Sequence, residues 1–165
     1  MSTDRLNRRI LVVDDNPSIH DDFRSILQSE TGLEAFELAR SALFGGSIPV
    51  PSHEPFEVDY VDQGQAALTA MEAAWSEDRP YAVAFVDMRM PPGWDGLETI
   101  EHLWKADARL QVVICTAYSD QPWDEIRERI GRTDKLLILQ KPFNGIEVLQ
   151  LATALCWKWD LANKA

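Results

Sequence analysis

Residues Tyr81–Gly96 read YAVAFVDMRMPPGWDG, and their polarity breaks at Asp87. The apolar run from Tyr81 to Val86 suits a central β-strand covered on both faces. Pro91, Pro92 and Gly93 then let neither strand nor helix continue. Asp95-Gly96 offers a turn, and the Asp95 carboxylate can cap a helix beginning near Leu97. Asp87 therefore stands where a buried parallel strand meets its loop, the edge at which open α/β sheets bind ligands. Taken alone, it could equally be an aspartate that caps a loop.

The same arrangement recurs on either side. Arg9 to Val13, RILVV, runs into Asp14-Asp15, and Asn16-Pro17 opens a helix with Ile19, Phe23, Ile26 and Leu27 along one face. A helix N-terminus accounts for one of two adjacent acids, not for both. Phe56 to Val61 reads as a strand, and Asp62-Gln63-Gly64 turns into a helix rich in small residues. QVVICTA, residues 111–117, is a buried strand ending at Thr116, followed by a charged helix with Pro122 in its first turn. Lys135 to Leu139 is a fifth strand leading into Gln140-Lys141-Pro142, and the last helix spans about Gly145 to Ala162. Its apolar stripe is Ile146, Leu149, Ala152, Leu155, Cys156 and Trp159, with Trp157 and Leu161 off it. Alternation of this kind predicts an α/β fold, a doubly wound parallel sheet with strand two at an edge. Residues 32 to about 56 form an insertion: a short helix carrying Leu33, Phe36, Leu38, Leu43 and Phe44, then a proline-rich extended loop. It is a candidate contact surface.

The totals narrow the function. At 165 residues the chain makes one domain, large enough to bury roughly 70% of its unfolded surface. A net charge of -11 sets it against nucleic acid and anionic lipid as direct partners, and favours a hard cation. No apolar run approaches a membrane span, and the polar start MSTDRLNRR lacks a signal core, so a cytoplasmic location is expected. Cys115 and Cys156 lack CxxC spacing, and His20, His53 and His102 lack metal-ligand spacing.

The strand ends gather Asp14 and Asp15, Asp87, Thr116 and Lys141 on one rim. Crowded carboxylates repel one another, and magnesium with its oxygen ligands relieves that repulsion. A carboxylate can also attack phosphorus to give an aspartyl phosphate, with the metal and a lysine neutralising the charge that develops. Thr116 can donate its hydroxyl to the phosphoryl group. Each residue has a dull reading on its own; the ordered set does not.

ILVVDDNPS, AFVDMRMPPGWDG, VVICTA and LQKPF together resemble the receiver domain of two-component response regulators, over nearly the whole chain. The resemblance implies a flavodoxin-like strand order 2-1-3-4-5 with helices on both faces. It implies that Asp87 accepts a phosphoryl group from a histidine kinase or histidine phosphotransfer protein, assisted by Thr116 and Lys141. It implies Mg2+ held by Asp15 and Asp87, with Asp14 assisting and the backbone carbonyl of Arg89 as a further ligand. A cis Lys141-Pro142 peptide is implied as well. Three departures stand out beside the atypical insertion between the first helix and the second strand. Ile138 occupies the place where the family usually carries Tyr or Phe, with Tyr118 a possible substitute; the loop MPPGWDG is one residue longer; and Arg89 brings a guanidinium near the site.

Residues 1–156 are thus expected to form the receiver domain with its insertion. Residues 157–165 would end the last helix and begin a linker to an output module on the same chain. Exposed Trp157 suggests a homodimer or a continuing helix. Independent enzymatic turnover is not expected. The rival readings are an aspartate-nucleophile phosphatase, which Arg89 in place of a second aspartate disfavours, and an unphosphorylated interaction module of the same fold.

Overall fold

The structure is a computed structural model and describes residues 6–28, 55–117, 123–131 and 133–163. The insertion helix and proline-rich loop, Tyr118 and Pro122 lie outside the described residues or at their edge. Five strands and five helices alternate among those described: β1 (Arg9–Val13), α1 (Pro17–Leu27), β2 (Glu57–Val61), α2 (Gly64–Ser76), β3 (Val83–Asp87), α3 (Gly96–Ala106), β4 (Gln111–Ala117), α4 (Trp123–Arg129), β5 (Leu136–Lys141) and α5 (Gly145–Asn163). The strands form one parallel sheet in the order β2-β1-β3-β4-β5, so β2 is an edge as expected.

Side chains of a strand alternate between faces, so an apolar run must be covered on both. Ile10, Val12, Phe85, Val113, Cys115 and Leu139 pack with Phe23 and Leu27 of α1 and with Val148, Leu149 and Ala152 of α5. Leu11, Val13, Ala84, Val86, Val112 and Ile114 face the other way, against Met71 of α2, Leu97, Ile100 and Leu103 of α3, and Ile126 of α4. The two cores sandwich the sheet and fix the height of every strand end.

Local signals set the helix starts. Asn16 caps α1 by accepting from the Ser18 N–H at 2.9 Å, and Asp95 caps α3 by accepting from the Glu98 N–H at 2.8 Å. Two strand ends and one helix face differ from the sequence expectation. β3 keeps Asp87 as its own last residue, because Asp87 still pairs with Cys115. β5 starts one residue later and runs on to Lys141, because Thr116↔Gln140 and Ala117↔Lys141 extend the ladder with β4. In α5, Ile146 is exposed and Val148 is buried, so the inward stripe is rotated at its first turn relative to the expected one. The Leu149, Ala152, Leu155, Cys156 and Trp159 part of that stripe is buried, while Trp157 and Leu161 are exposed.

Candidate functional site

Asp14, Asp15 and Asp87 meet above the carboxyl ends of β1 and β3. One carboxylate oxygen from each lies within 4.8 Å of the others. Asp14 is buried, Asp15 is exposed, and Asp87 retains 9% of its surface. Like charges held this close, with little water between, destabilise one another. Lys141, at the end of β5, reaches into the group: its Nζ donates to Asp14 Oδ2 at 2.9 Å and lies 3.3 Å from Asp87 Oδ1. Among the described contacts, Lys141 is the one ammonium shared between these acids.

The proton affinities record this crowding. Burial, and then the Asp14 charge, push the Asp87 carboxyl up to about 6, although Lys141 and the Arg89 backbone N–H pull it down. Burial alone would lower the Lys141 ammonium, but its hydrogen bond to Asp14 and the charges of both aspartates hold it above its ordinary value. Burial raises the Cys115 thiol strongly, so this neighbour of Asp87 in the sheet stays protonated and inert.

Backbone closure holds Asp87 in place. The Met88 N–H donates to the Cys115 carbonyl at 2.9 Å, and the Gly96 N–H returns to the Met88 carbonyl at 2.8 Å. Met88 and Met90 point into the core while Arg89 between them is exposed. The loop therefore leaves the strand and comes back onto it. Gly96 makes this approach possible: a Cβ there would lie 2.5 Å from the Asp87 carbonyl oxygen and 2.9 Å from the Met88 Cα. Read in sequence, Asp95-Gly96 signalled a turn; the contact with Asp87 was not visible. Trp94 stacks on His102 at 3.9 Å, and Arg129 of α4 pairs with the capping Asp95 at 3.1 Å, so the far side of the loop is tied down too.

Thr116 is buried at the end of β4, one step beyond the residue paired with Asp87. The rim thus brings together Asp14, Asp15, Asp87 and Lys141, and Thr116 stands on the neighbouring strand. Arg89 adds its backbone N–H to Asp87. The Lys141-Pro142 peptide is cis, as is Pro91-Pro92.

Fold and rim together define a flavodoxin-like α/β domain with an acidic, lysine-bridged site at its strand ends. The response regulator receiver domain family model matches residues 50–153, more than half of the chain, and the chain belongs to that family. The match begins before β2, so β1 with Asp14 and Asp15 lies outside it and is joined to the site through the sheet. Family membership makes this a phosphorylation-dependent signalling module of two-component systems. Several solved structures share the fold. An adenylate cyclase from Rhodopirellula baltica is 23% identical, with 96% of this chain and 94% of that one covered and a TM-score of 0.69. A CheY-like response regulator receiver domain protein from Methanospirillum hungatei JF-1 is 20% identical, with 94% and 98% covered and a TM-score of 0.65. The signal receiver domain of an HD domain-containing protein from Pseudomonas fluorescens Pf-5 is 13% identical, with 99% and 97% covered and a TM-score of 0.69. Among curated proteins there is no match. No described helix is long and apolar enough to cross a membrane.

Proposed function

We propose that Asp87 is the phosphoacceptor of this domain and takes its phosphoryl group from a histidine kinase or histidine phosphotransfer protein. The observation that supports this best is the Lys141 ammonium shared between Asp14 and Asp87 beside the converging acids. An Asp87 oxygen attacks phosphorus, the P–N bond of the donor phosphohistidine breaks, and the imidazole leaves. Asp87 is held by strand pairing and the Arg89 N–H, so positioning rather than motion carries the reaction. Lys141 stays charged and stands where equatorial oxygens would gather negative charge; Thr116 supplies a hydroxyl from the next strand.

The donor set fits Mg2+: oxygen ligands, excess negative charge, and one exposed side open to water. Asp15 and Asp87 would hold it, with Asp14 and the Arg89 carbonyl assisting. When bound, the ion neutralises the crowded acids and stabilises the charge of the transferring phosphoryl group. The reading extends to the chain as a whole. Residues 1–156 act as the input domain, and the α5 end continues toward an output module on the same polypeptide. The exposed Trp157 and Leu161 of α5 favour contact with a second copy or with that module.

Acetyl phosphate with Mg2+ should label the protein in the absence of any kinase, as an 80-dalton-class phosphoryl addition read by intact-mass spectrometry. Asp87→Asn should abolish the label, and chelation of the metal should suppress it. Labelling that persists in Asp87→Asn refutes the assignment.

A further inference from the structure

Four hydrogen bonds fasten Asp14. Its N–H donates to the Val61 carbonyl at 3.1 Å, Oδ1 accepts from the Asn16 N–H at 2.9 Å, and Oδ2 accepts from Lys141 at 2.9 Å. Its own carbonyl lies 2.6 Å from Nε2 of His20, a half-buried residue on the first turns of α1. A carbonyl oxygen can only accept, so Nε2 carries the proton. None of the other three bonds involves the peptide that joins Asp14 to Asp15.

The imidazole is itself fixed from behind. Tyr60 of β2 packs against it with ring centroids 5.5 Å apart and planes tilted by 45°. The Tyr60 hydroxyl donates to Gln28 Oε1 at 2.8 Å, and the Arg24 guanidinium lies over the same ring at 4.7 Å. Burial pushes the Tyr60 phenol up to about 12, so it remains a donor through the physiological range. The chain of contacts runs from the end of α1, through the edge strand, to one peptide plane. Turning that plane would swing the Asp15 carboxylate, which stands exposed at the mouth of the site.

We propose that His20 is a positioning residue: by holding the Asp14 carbonyl, it aims Asp15 at the divalent cation. This rests on the Mg2+ reading above. Partners that orient a metal ligand typically change affinity by about 10–100-fold when removed, so the effect belongs in binding, whether or not phosphoryl transfer is measured.

Titration calorimetry with MgCl2 on wild type, His20→Phe and His20→Gln tests it. Phenylalanine keeps a ring against Tyr60 but has no donor, and it should weaken Mg2+ binding by about tenfold or more. Glutamine places an amide N–H at a similar reach and should restore most of that loss. All three should melt alike in chelator, because the bond serves the ligand rather than the fold. If His20→Phe does not fold, His20→Ala takes its place in the comparison. Equal affinity in wild type and the donor-less variant, or a glutamine variant as weak as phenylalanine, overturns the proposal. If wild type itself binds no divalent cation, the metal reading falls and this one falls with it.

Discussion

The two ends of the sheet handle charge in opposite ways. At the amino-terminal ends of the strands, carboxylates are matched by arginines. Asp59 meets Arg9 at 3.1 Å, Glu57 meets Arg79 at 2.7 Å, and the buried Asp107 takes Arg109 through two parallel bonds of 2.9 Å each. Aromatic faces complete the cover: Arg9 lies over Tyr81, and Arg109 over both Trp75 and Trp159. At the carboxyl ends, three carboxylates share one lysine. The lower end is neutralised by the chain itself and is structural; the upper end is left short of positive charge and is open to a cation. Three carboxylates stand at each end, and the cations paired with them make the difference.

Four experiments test this contrast. The largest effect should come from Gly96→Ala, since a Cβ cannot occupy the space held by the Asp87 carbonyl without moving the backbone. A loss of about 3 kcal/mol is expected, with acetyl phosphate labelling reduced, as measured by denaturant melts and mass spectrometry. Next, Mg2+ at one hundred times its dissociation constant should stabilise the fold by about 2.7 kcal/mol, and Asp15→Asn should remove that gain in a thermal melt. Asp107→Ala at the lower end should cost about 2 kcal/mol through its lost hydrogen bonds to Arg109, yet leave Mg2+ affinity unchanged in calorimetry. A drop in affinity there would show that the two ends are coupled.

The smallest effect has the opposite sign. Asp87 has a carboxyl raised from 3.8 to about 6 in the fold, so between these values the folded chain holds more protons than the unfolded one. Its contribution to stability therefore falls as pH rises through about 4 to 6. Without metal, Asp87→Asn should stabilise the protein at pH 7 by on the order of 1 kcal/mol, and the gain should vanish at pH 4. Melts across that range in chelator check the sign; a destabilised Asp87→Asn at neutral pH would mean the rim is already balanced.

What the sequence disclosed was whatever is encoded over a few residues. Apolar runs broken by an acid located β1 and β3, and Asn16 and Asp95 marked their helices by the local chemistry of capping. Alternation of strands and helices carried the topology, and the topology carried the rim. Hidden from it were contacts made by chain reversal or across the sheet. His20 reaches back to a carbonyl six residues earlier, and Arg9 finds Asp59 fifty residues away. Ile146 is exposed although it fits the stripe, because periodicity in the first turn of a helix does not say what covers that turn. Gly96 illustrates the same limit, since a turn signal says nothing of what the turn touches.

The Asn7 N–H donates to Asp160 Oδ1 at 3.1 Å, and the Asn7 side chain donates to the Pro80 carbonyl at 2.9 Å. Asn7, just before β1, and Asp160, near the end of α5, therefore lie side by side, on the side away from the acids. A neighbour tethered at that end need not cross the face that carries the acids.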